Sequence, residues 1–98
     1  MLKKLTGAIF ALFSLFVQAE YVSPLVYKDV SCADLVEEFT GHQSNYSTNR
    51  YHASLAEVDV KPKSSLPVYL ESMESSAGHM KAIKKAAAKI QCDLPKDE

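Results

Sequence analysis

The chain carries none of the usual catalytic signatures. It has no Gly-x-Ser-x-Gly elbow, no Cys-x-x-Cys and no His-x-x-His or Glu-x-x-His spacing. The common settings of a nucleophilic serine, a redox dithiol and a zinc ion are therefore missing. A membrane-spanning helix needs about 20 apolar residues, and the longest apolar run, Leu5 to Val17, has thirteen. Nor is there an excess of positive charge: 11 Lys and Arg stand against 12 Asp and Glu, a formal −1. That balance gives no electrostatic case for nucleic acid. At 98 residues there is also no room for a nucleotide-binding domain.

The N-terminus is informative. Lys3 and Lys4 precede the apolar run, and Val17-Gln18-Ala19 places small or apolar residues where signal peptidase requires them. Residues 1–19 read as a cleaved secretory signal. No Cys adjoins the cut, so a lipid anchor is not expected. Cleavage after Ala19 leaves 79 residues from Glu20 onward, with 9 basic and 12 acidic side chains. The expectation is one small domain, residues 20–98, periplasmic or secreted from a bacterium and not stably inserted in a membrane once the signal is gone.

Export gives Cys32 and Cys92 an oxidising environment, and with two cysteines only one pairing is possible. A bridge between residues 60 apart in sequence encloses most of the mature chain. Loop entropy puts its worth at roughly 4 kcal/mol, close to the whole margin of a core this small. The disulfide is expected to be structural.

Ser31 is placed to cap a helix, with Asp34 answering three residues later as a capping box. Leu35, Val36 and Phe39 then recur on one helical face while Glu37 and Glu38 fall on the other. The pattern fails after Thr40, where Gly41 and the polar stretch Ser44 to Asn49 have poor helix propensity. The helix either stops near Gly41 or bends there. A second short helix from about Asn49, carrying Tyr51, Leu55 and Val58, is expected to end near Asp59, although Val58 to Lys61 also alternates like a strand. Lys61 to Ser65 reads as a linker, with Ser64 or Ser65 capping the next helix and Pro67 in its first turn. From there Leu66, Leu70, Met73, Ala77, Met80, Ile83, Ala87 and Ile90 recur at steps of three or four, the strongest periodicity in the chain. Gly78 is the point at which that helix would divide. Residues 20–30 fit either an extended arm or a short helical turn, and Asp93 to Glu98 a frayed tail. Antiparallel packing would bring Cys32 and Cys92 together. The expected fold is all-α, a small helical bundle or hairpin stapled by one disulfide.

Neither a metal site nor a cofactor is expected. On one helix, His42 and His52 would lie about 15 Å apart by helical rise, too far to share an ion, and all three histidines read as solvated surface groups. The adjacent acids of Glu37-Glu38 point apart rather than across a cleft, so an enzyme is not expected. Asn45-Tyr46-Ser47 matches a glycosylation acceptor in pattern only. The lysines from Lys81 to Lys89, without Arg or aromatic neighbours, read as a solvated helix face.

Acid changes the balance. Near pH 2 the carboxylates are neutral and the histidines charged, giving the mature chain about +13. Repulsion of that size loosens a small helical core while a disulfide keeps it connected. Leu35, Phe39, Met73, Met80 and Ile83 would then be free to cover other unfolding proteins.

Val30-Ser31-Cys32-Ala33-Asp34-Leu35 resembles the start of the mature fold in the HdeA/HdeB-type periplasmic acid-stress chaperones and related small periplasmic proteins. These show a hydroxyl residue, Cys, any residue, an acid and an apolar residue, followed by helices and a second Cys. The resemblance implies a helical single-disulfide fold, a homodimer at neutral pH and chaperone release in acid. The functional expectation is thus a non-enzymatic exported protein that binds other proteins. It would act on unfolding clients in acid stress or, alternatively, as a specific inhibitor or immunity protein for one envelope enzyme.

Overall fold

The computed structural model describes residues 18–96. The N-terminal run read as a secretory signal lies almost entirely outside the described residues. Two long helices, α1 (Cys32–Glu57) and α2 (Leu66–Lys89), pack against each other as a hairpin measuring 47 × 30 × 21 Å. A 3₁₀ turn at Lys63–Ser65 leads into α2, and another at Pro24–Tyr27 precedes α1. The described residues contain no strand.

Three of the four ends of the long helices have a local cause. Ser31 Oγ accepts a hydrogen bond from the Asp34 amide at 3.2 Å, which supplies the N-cap of α1. Asp59 (φ 65°) and Gln91 (φ 53°) take the left-handed conformation just past α1 and α2. The Val60 amide then reaches the Leu55 carbonyl, and the Cys92 amide the Ala87 carbonyl, both at 2.9 Å. With the accompanying Asp59–Ala56 and Gln91–Ala88 bonds, these are Schellman motifs. The second one carries Cys92 back over the end of α2, opposite Cys32 at the start of α1. The two are joined with Sγ atoms 2.06 Å and Cα atoms 5.5 Å apart.

Three sequence expectations need correction. First, α1 does not stop near Gly41 but runs as one helix to Glu57. Its inward stripe is Leu35, Phe39, His42, Tyr46, Asn49, Ala53 and Ala56, buried at both ends and half-buried in the middle. The steps alternate four and three, so the stripe follows the period of a helix seam. Its polar middle members hid it, and the apparent face of Tyr51 and Val58 is 62% and 67% exposed. Second, Gly78 does not divide α2. Residues 20–22 cross α2 at this point, and the Glu20 amide bonds the Glu74 carbonyl at 3.0 Å. A Cβ on Gly78 would collide with the Glu20 carbonyl. Gly78 and Ala82 lie beneath the crossing segment, and Ala86, one turn on, is also buried. Third, residues 93–96 pack back on the fold: Leu94 rests on the core and Gln43 Nε2 donates to the Lys96 carbonyl at 3.1 Å.

Two smaller features also differ. Ser65 precedes α2, yet its hydroxyl donates to the Pro62 carbonyl and caps no helix amide. Ile90, the last member of the expected α2 stripe, is 48% exposed.

Candidate functional site

The inner faces of α1 and α2 form a layered seam. Nearest the disulfide, Leu35, Phe39, Ile83 and Ala87 are buried together with Tyr27 from the N-terminal segment, and Met80 is half-buried against them. Met73 is fully buried farther along α2. All five residues singled out for partner binding therefore face inward, and four of them (Leu35, Phe39, Met73 and Ile83) have no exposure at all. The lysines stay outside, as expected. Lys84 lies with Nζ 5.8 Å from the Phe39 ring centroid, where it covers the edge of the core.

The next layer is polar and titratable. His42 from α1 and His79 from α2 stack with parallel rings and centroids 4.5 Å apart. Tyr27 Oη is 2.6 Å from His79 Nδ1, its ring edge-on to the imidazole. With His79 neutral the hydroxyl donates to Nδ1, which places the ring proton on Nε2. On the outer side, Glu38 Oε1 stands 3.7 Å from His42 Nε2, one turn away on the same helix. Burial and the facing His79 lower the His42 pKa from its ordinary value, against an opposing pull from Glu38. Burial, reinforced by Glu38, raises that of Tyr27.

Beyond this layer Asn45 Nδ2 donates to Ser76 Oγ at 2.6 Å and approaches Ser72 Oγ at 3.3 Å. The side chain of the glycosylation pattern is thus engaged in helix pairing. Toward the hairpin turn His52 stacks on Tyr69 of α2, centroids 5.3 Å apart, with its Nδ1 buried and without a hydrogen-bond partner. The reading of the histidines as solvated surface groups is therefore wrong: all three are half-buried between or beside the helices. Spacing carried a signal of this, since Leu35, His42, Asn49 and Ala56 recur every seven residues. Hydropathy obscured it.

Among the described residues no three His, Cys, Asp or Glu side chains converge into a metal-binding group. A groove of about 390 Å³ runs beside the seam, with Gln43, Tyr46 and Ser47 on one wall and Ala77, Met80 and Lys81 on the other. Its lining holds no carboxylate and no histidine. No described helix is long and apolar enough to cross a membrane. Comparison with protein-family models, curated proteins and solved structures returns no match.

Proposed function

We propose that this chain is a small exported bacterial protein that acts by binding other proteins in the cell envelope, as an acid-stress chaperone whose client surface is the inner face of the hairpin. The carrying observation is the joint placement of Leu35, Phe39, Met73, Met80 and Ile83 between two helices that are covalently tied at one end. A hairpin so tied exposes its apolar lining by parting along the seam without losing its connectivity. Strong acid supplies the force, because neutralised carboxylates leave the lysines, the arginine and the histidines unbalanced. The proposed action is reversible contact with exposed apolar segments, with neither catalysis nor a cofactor.

Light scattering of an aggregation-prone client at about pH 2–3 tests this reading. The oxidised mature protein is expected to suppress aggregation in acid and to leave the same client unaffected near neutrality. Unchanged scattering in acid removes the chaperone assignment.

A second reading, inhibition of a single envelope enzyme, is favoured by Tyr51, Val58, Val60 and Val68. All four are more than 60% exposed toward the turn end of the hairpin and are presented at neutral pH without any opening. A pull-down at neutral pH separates the two readings: one stoichiometric partner supports inhibition, and promiscuous capture confined to acid supports the chaperone.

A further inference from the structure

We propose that the stacked His42–His79 pair, with Tyr27, is a proton-operated latch that opens the helix seam in mild acid, well before the carboxylates are neutralised. This goes beyond client binding, since it concerns the chain's own conformation and is read without any client.

The two rings lie face to face, 4.5 Å between centroids, in a half-buried layer contributed by different helices. Neutral imidazoles stack well there. Two imidazolium rings at the same separation repel each other in a medium less polarisable than water. The groups facing the pair decide how many protons it holds. From α1 come Glu38, 3.7 Å from His42, and Glu37, which lines the same surface depression. From the N-terminal segment comes Tyr27, 2.6 Å from His79, and α2 contributes His79 itself. A proton on His42 finds Glu38 as its counter-charge. A proton on His79 Nδ1 removes the acceptor of the Tyr27 hydroxyl, and with both rings charged two cations are in contact. The least costly relief is separation of α1 from α2 at this level, and Tyr27 leaves its place on the seam with them.

The sign follows from linkage. A histidine whose folded pKa lies below its unfolded value binds fewer protons when folded. The stability it contributes is complete above the ordinary value of about 6.5 and is lost as pH falls toward the lowered one. Carboxylates titrate near 4, so an opening driven by the histidine pair is separated on the pH axis from one driven by loss of negative charge.

The experiment is a titration of the disulfide-bonded mature protein from pH 8 to 3, followed by near-ultraviolet circular dichroism of the tyrosines and by amide exchange. The wild type is expected to lose tertiary signal below pH 6.5, with helix content largely kept. His42→Gln and His79→Gln are each expected to move that midpoint down by about one pH unit or more, whereas His52→Gln leaves it in place. Equal midpoints in wild type and both pair variants, or an equal shift in His52→Gln, overturn the latch. Should a pair variant fail to fold at pH 8, ring-proton NMR of the wild type decides. Titrations of His42 and His79 that depend on each other support the latch, and two independent curves at the ordinary histidine value overturn it. Client scattering plays no part in these readouts, so failure of the chaperone reading and failure of the latch are distinguishable.

Discussion

Two glycines that look alike in the sequence do opposite things. Gly41 sits on the exposed side of α1, and a Cβ there meets nothing within 4 Å. Gly41→Ala is expected to stabilise the protein by about 0.5–1 kcal/mol, the ordinary helix-interior difference between the two residues. Gly78 lies under the N-terminal segment, where an added methyl would meet the Glu20 carbonyl and stand 3.2 Å from Val22 Cγ2. Gly78→Ala gains the same propensity and loses the seat. The expected result is a net destabilisation of about 1–2 kcal/mol with accelerated amide exchange in residues 20–27 and α2 still helical. Urea denaturation of both variants, with exchange mapping of the second, checks the pair. Sequence alone marks both positions as helix breakers, because what separates them is a backbone approach from 58 residues away.

At the level of the helices, α2 was legible and α1 was only half so. The apolar residues of α2 recur with little interruption from Leu66 to Ala87, and the helix extends over nearly that range. In α1 the buried line passes through His42, Tyr46 and Asn49, so a reading by hydropathy loses it at the point where the seam turns polar. The same cause concealed the candidate site: imidazole rings count as surface groups until a facing helix supplies a second ring. The disulfide fared better, since two cysteines leave a single pairing, and the staple joins the helix ends as expected. The caps yield two predictions. Removing the Ser31 hydroxyl by Ser31→Ala leaves the Asp34 amide without its acceptor and is expected to cost about 1 kcal/mol, measured by thermal denaturation. Gln91→Gly releases a side chain from left-handed backbone at φ 53° and is expected to raise stability by up to about 1 kcal/mol, seen as a higher denaturation midpoint.

For the molecule as a whole, the cross-link is expected to supply a large share of the stability. The seam is thin, with alanines at both of its ends and polar layers between, and the bridge restrains a 60-residue separation. Reduction is expected to remove roughly 4 kcal/mol of stability, much of what a domain this size possesses. Denaturant midpoints with and without a reductant measure the loss; coincident curves would show that the helices hold together unaided. The bridge also makes residues 32–92 a covalent macrocycle whose far side is the short loop between the helices. Lys63 in that loop is exposed, so trypsin cutting after it would open the ring without releasing a fragment. The nicked material would migrate as one species until thiol is added and as two thereafter, each carrying a single helix.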